Sequence, residues 1–155
     1  MPDKIVFESP ADLHDWVGKD ITTTDWVVMD QARIQRFADA TGDQQWIHTD
    51  PERARRESPF GGPIAHGFLT LAMTAEFLQS SLVCKGVRMG VNYGANKVRF
   101  PAPVPAGSRI RCHIHLISVE DLPDHGMQQV WRTTIEVEGG DKPACVAELV
   151  SRWYL

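Results

Sequence analysis

The stretch His66-Gly-Phe-Leu-Thr-Leu-Ala-Met-Thr-Ala-Glu-Phe-Leu-Gln-Ser-Ser-Leu82 decides the fold. Phe68, Leu69, Leu71, Ala72, Met73, Ala75, Phe77, Leu78 and Leu82 leave it little polar face, which predicts a helix that must be largely enclosed. Beyond it, from Val87 to the end, the period changes to that of strands. Ile110, Cys112, Ile114 and Leu116 alternate with Arg111, His113 and His115. Trp131, Thr133, Ile135 and Val137 alternate in the same way with Arg132, Thr134, Glu136 and Glu138. Gly139 and Gly140 supply a turn into a last strand over Ala144 to Tyr154. FPAPVPAG, residues 100 to 107, contains three prolines and cannot be a central strand.

One apolar helix followed by consecutive strands is best satisfied by an antiparallel sheet wrapped around a long central helix, an α+β arrangement of the hot-dog type. The order helix, then meander, argues against a parallel βαβ sheet.

Working back toward the N-terminus, residues 10 to 17 read as a short amphipathic helical turn ended by Gly18. Ile21 to Met29 is rich in Thr, Val and Trp and reads as one strand. Asp30 caps a helix over QARIQRFADAT, with Ile34, Phe37, Ala38 and Thr41 on one face and Gly42 at its end. Thr49 and Glu52 have capping-box spacing, with Pro51 in the first turn of the next helix. Asp43 to His48 is thereby predicted to be a short loop pinned between two helix ends.

A chain of 155 residues, 43% of them apolar, builds one core, so residues 1 to 155 are expected to form a single domain. Sixteen Lys plus Arg against twenty Asp plus Glu give a net charge of -4, which offers no general attraction to nucleic acid or anionic membrane. The acids and proline in Met1 to Pro10 do not resemble a secretory peptide, and no apolar run reaches spanning length. A cytoplasmic protein acting on small molecules or protein is expected. Cys84, Cys112 and Cys145 are odd in number and widely spaced, and are expected to be free thiols, two of them in strands.

Asp43 and His48 are five residues apart, too far around a continuous helix to share a face, but able to converge in a loop. A carboxylate and an imidazole that share one water form an acid/base pair whose pKa values burial and mutual charge can move. Equally, Asp43 could only turn the chain after Gly42 and His48 could be a satisfied core histidine. The segment Gly61-Gly62-Pro63-Ile64-Ala65-His66-Gly67 leads directly into the apolar helix. Its glycines permit close approach to the backbone, and the free N–H groups of a helix start suit a developing oxyanion. The competing reading is a loop that serves only a tight helix entry.

Other chemistries find less support. His48, Asp50 and His66 lack any spacing that brings metal ligands together on one element, and no GxSxG serine is present. His113 and His115 point to one strand face, expected to be solvated, and Cys112 points away from His113. Arg53, Arg55 and Arg56 read as a solvated helix face, while Lys97 and Arg99, next to the NYGAN stretch that holds Asn96, are better placed to meet phosphates.

FADATGDQQWIHTDPERA (37 to 54) followed by PFGGPIAHGFLTLA (59 to 72) resembles the MaoC-like family of (R)-specific enoyl-CoA hydratases and dehydratases. NYGANKVRFPAPVPAGSRI (92 to 110) and KPACVAELV (142 to 150) resemble the branch that includes nodulation protein N. The resemblance implies that Asp43 and His48 are the catalytic pair and that the Gly67 N–H receives the thioester carbonyl. It places Ile64, Ala65, His66, Asn96 and Lys97 near an acyl-CoA or acyl carrier protein thioester. It also implies a homodimer, with no metal and no dissociable redox cofactor. Many members read Asp-x-Asn-Pro-x-His, whereas Gln45 and Trp46 stand here in place of Asn and Pro. Hot-dog thioesterases resemble one another in carrying their acid on the central helix, where this chain offers only Glu76. An acyl-CoA-binding module without activity would need no Asp43 and His48 together.

Overall fold

The computed structural model describes residues 3–155. The central helix, α4 (Gly67–Ser81), forms where the apolar run predicts it. Leu69, Met73 and Phe77, four residues apart, bury one stripe of α4 among Ile110, Cys112, Ile114 and Leu116 of β6 (Ser108–Leu122) and Trp131 and Ile135 of β7 (Gly126–Val137). That stripe matches the helical period, and the facing strand residues match the period of two. With β8 (Cys145–Tyr154), β5 (Met89–Arg99) and β2 (Asp20–Thr23), these strands pair antiparallel in the order β2-β6-β7-β8-β5.

The helix is less enclosed than its composition predicts. Phe68 is 70% exposed, Ala72 is exposed, and Leu71, Ala75 and Leu78 are only half-buried. One sheet covers one side of a helix, so the opposite stripe stays open within a single chain. The neighbouring edge strand β5 shares this exposure, at Met89, Val91 and Tyr93.

Three further differences from the sequence reading have identifiable causes. The strand expected over Ile21 to Met29 is broken into β2 (Asp20–Thr23) and β3 (Val27–Met29), both paired with β6. At the break, buried Thr24 replaces a ladder bond with its side chain, its Oγ1 accepting from the Cys112 N–H at 3.0 Å while its own N–H donates to the Cys112 carbonyl. A small parallel pair, β1 (Ile5–Phe7) with β4 (Leu82–Cys84), follows the end of α4 and was not foreseen. It puts all three cysteines in strands, all of them free, rather than two. The residues 10 to 17 form a 3-10 helix, Pro10–Trp16, as the spacing suggests.

Helix α1 (Gln31–Thr41) begins at Asp30, whose Oδ1 accepts from the Arg33 N–H at 2.7 Å. It ends at Gly42, whose φ of 82° lies in the left-handed region that glycine enters without a Cβ clash. The chain then makes a helical turn, α2 (Trp46–Thr49), where a loop is predicted through His48. Next comes α3 (Pro51–Glu57), capped by Asp50 and not by Thr49: Asp50 Oδ1 accepts from the Arg53 N–H, while the Thr49 hydroxyl donates to the Gln44 carbonyl.

Candidate active site

The α1 to α2 connection is held from several sides. Gly42 turns the chain sharply, so Asp43 stands on an exposed bend, its Oδ1 accepting weakly from the Gln45 N–H at 3.4 Å. Gln44 Nε2 donates to Asp39 at 2.8 Å. His48, on the helical turn, is carried inward until only 6% of it is exposed. Its Nδ1 lies 2.7 Å from the Ile64 carbonyl oxygen, an atom that can only accept, so Nδ1 carries the proton. In the neutral ring the Nε2 lone pair is then free to accept a proton. Burial holds the His48 pKa below the usual imidazole range; the Ile64 carbonyl opposes this, the neighbouring His66 adds to it, and Asp43 opposes it.

The structure brings Asp43, His48 and His66 together: one carboxylate oxygen and one ring nitrogen from each histidine lie within 4.8 Å of one another. His48 and His66 stack, with ring centroids 3.8 Å apart and planes at 24°. Such a trio could be suspected of holding a metal, but stacked imidazoles make a poor chelate. Their lone pairs lie in nearly parallel planes and cannot meet on one ion about 2.0–2.1 Å from each nitrogen. Asp50, a third ligand considered from the sequence, is occupied with capping α3.

Gly67 opens α4, so its N–H has no carbonyl four residues back within the helix. Ile64 and Ala65, both buried, use their N–H groups on the carbonyls of Ile47 and Val104. Of these three residues, Ile64 and Ala65 thus have their N–H groups engaged by backbone carbonyls, whereas the Gly67 N–H is one of the free donors of a helix start. The close approach foreseen for a glycine here is made by the chain itself: a Cβ on Gly67 would lie 3.0 Å from Phe100 Cδ2. A cleft of about 350 Å³, bordered by Ile64, Ala65, Gly67, Phe60 and Phe100, opens beside this point and reaches Gly67 rather than Asp43 or His48.

Lys97 and Asn96 are not brought to the pair. Val98 packs on the core opposite buried Ala147, which turns Lys97 to the outer face of the sheet, beside Arg99, Arg132 and Glu148. Asn96 sits exposed at an irregularity in the β5–β8 register. On the same outer face, half-exposed His113 meets Glu136 and Thr23, and His115 meets Asp20 at 2.7 Å, the solvated arrangement expected of them. Cys112 is fully buried and its thiol is pushed up to about 12 by burial, which removes it as a nucleophile. Arg53 lies over the Trp46 ring at 4.3 Å and bonds Glu57, so Trp46 is pinned against α3. Gln31 was missed by sequence reasoning: from the first turn of α1 its Nε2 donates to the His48 carbonyl at 2.7 Å. A polar residue directly after a helix cap carries no sequence signal for such a role.

A helix held by one antiparallel sheet is the architecture of a hot-dog domain, here with an Asp/His cluster at the helix entry. The chain belongs to the MaoC-like domain family, whose model matches residues 12–140. It is 53% identical over 147 residues to 3-hydroxyacyl-thioester dehydratase Z of Mycobacterium tuberculosis, covering 95% of this chain and 97% of that one. It is 42% identical over 144 residues to nodulation protein N of Rhizobium meliloti, covering 92% and 89%. Among solved structures, the (R)-hydratase from A. caviae involved in PHA biosynthesis superposes with a TM-score of 0.67 at 22% identity, over 87% of this chain and 94% of that one, a likeness of fold.

Proposed function

We propose that this protein, as one hot-dog domain over residues 1–155, reversibly hydrates a trans-2-enoyl thioester to the (R)-3-hydroxyacyl thioester, with Asp43 and His48 carrying the proton transfers. The observation that carries this reading is the convergence of Asp43 with a His48 ring whose Nδ1 proton is tied to Ile64 and whose Nε2 is left as a base. In the hydration direction, water adds its oxygen to C3 and gives a proton to the pair, charge moves onto the thioester oxygen, and a proton is returned to C2. Dehydration reverses each step. The Gly67 N–H receives the carbonyl oxygen, where stabilisation counts most because charge develops there. Ile64 and Ala65 border the cleft beside it. The resemblance of the two motif blocks supports the (R) course, and the name of the mycobacterial relative supports a thioester, carried on coenzyme A or acyl carrier protein.

The thioesterase alternative is disfavoured by Glu76, the acid it would need on α4, which is exposed and paired with Arg33 at 3.1 Å. Purified protein should remove the enoyl absorbance of crotonyl-CoA, and chiral analysis should find the (R) product. Exclusive (S) product, or release of free CoA without hydration, overturns the assignment.

The functional unit is a homodimer. The open stripe of α4, at Phe68, and the exposed apolar residues Met89, Val91 and Tyr93 of edge strand β5 form a surface suited to a second copy. Light scattering is expected to give twice the 17.4 kDa chain mass. A fully active monomer at micromolar concentration refutes this. With three free cysteines among the described residues, the reducing cytoplasm is the compartment assigned.

A further inference from the structure

His66 is 3% exposed and lies between the two residues to which the proton transfers are assigned. Its Nε2 is 3.0 Å from the backbone oxygen of Asp43, which can only accept, so Nε2 carries the proton and donates it there. Its ring faces that of His48 at 3.8 Å, and Phe37 of α1 packs against it at 4.9 Å. The remaining nitrogen, Nδ1, is buried and has no partner among the described residues. An interior that leaves a buried acceptor unpaired bears a cost, which calls for a return elsewhere.

That return is visible in what the ring restrains. Asp43 stands on an exposed bend whose local bond, to the Gln45 N–H, is 3.4 Å long. His48 is fixed by one bond from Nδ1 to Ile64, about which its ring can still pivot. We propose that His66 is a positioning residue for the pair: its Nε2–H tethers the Asp43 carbonyl, and its ring face sets the plane of His48. The proposal rests on the reading of Asp43 and His48 as the catalysts. His66 itself exchanges no proton with substrate in this role, which uses only its Nε2–H and its ring face. The tether is the larger effect, since an ångström of misplacement costs about a hundredfold in rate.

Two substitutions separate the tether from the ring. His66→Gln sets an amide N–H close to the place of Nε2 and removes the ring. His66→Phe keeps a ring to stack and removes the donor. With crotonyl-CoA, His66→Phe is expected to lower kcat about ten- to a hundredfold with KM changed less than about threefold, and His66→Gln to retain about tenfold more turnover than His66→Phe. Wild-type kcat in folded His66→Phe overturns the proposal, as does a folded His66→Gln no better than folded His66→Phe. If circular dichroism shows that His66→Phe does not fold, His66→Gln decides alone: kcat within about tenfold of wild type at unchanged KM supports the tether, and a larger loss overturns it. Asp43→Asn, assayed alongside, distinguishes the two levels. Full turnover in Asp43→Asn removes the catalytic reading and the tether with it; an inactive Asp43→Asn beside a fully active His66→Phe removes the tether alone.

Discussion

Replacing Asp43 by Asn, or His48 by Gln, is expected to lower kcat by about a hundredfold or more while leaving the fold intact, the scale of lost acid/base catalysis. Asp43 is exposed and makes one weak side-chain contact, so an amide of the same shape fits its place. Gln at 48 can still donate toward the Ile64 carbonyl, but it has no basic nitrogen to offer. The double substitution should be little worse than either single one, because groups that act on one water are lost as a unit. Steady-state kinetics with circular dichroism as control decides it. Near-wild-type turnover in both folded single variants would remove these residues as catalysts. Unfolding in both would leave them as a structural pair.

Phe77→Ala is expected to have the largest effect on stability, about 3–5 kcal/mol, from the lost transfer of a buried aromatic and the cavity left behind. Phe77 is 1% exposed and sits in the stripe of α4 that contacts the sheet. A void there cannot be filled by solvent or by collapse of strands whose registers are fixed on both sides. Urea unfolding at matched protein concentration measures the loss, and a cost below about 1 kcal/mol would mean that α4 is not the anchor of this core.

Much of this fold could be read from periodicity. The strongest signals were the apolar run of α4 and the alternation around Ile114 and Trp131, where burial decides the conformation. The Asp30 and Gly42 caps were legible too, since they depend on chemistry within a few residues. What escaped depended on distant partners. The break at Thr24 is made by a bond to Cys112, 88 residues away, and β1 exists because it lies beside β4. Thr49 and Asp50 are adjacent polar residues, and which of them caps α3 is settled by the turn of α2 before it. At the candidate site, type and spacing raised Asp43 and His48 as one of two readings, and the resemblance of the motif blocks pointed to that pair and to Gly67. The stacking of His66 and the reach of Gln31 come from how α1 and the α4 entry pack together, for which no local pattern exists.

Among the described residues, the hydrogen bonds that hold Asp43 and His48 all begin and end between positions 31 and 66. That segment is joined to the strand-rich remainder by backbone bonds such as Ala65 to Val104 and Ala106 to Pro63. Asp43 and His48 thus sit in one tract between β3 and α4, and the sheet around them is drawn from both sides of that tract and joined to it in part by main-chain atoms that side-chain replacement leaves in place. Inward-facing residues of β6 to β8 can change in size without touching a hydrogen bond that holds Asp43 or His48. A domain built in this way can diversify what its interior admits while keeping the geometry of one Asp/His pair.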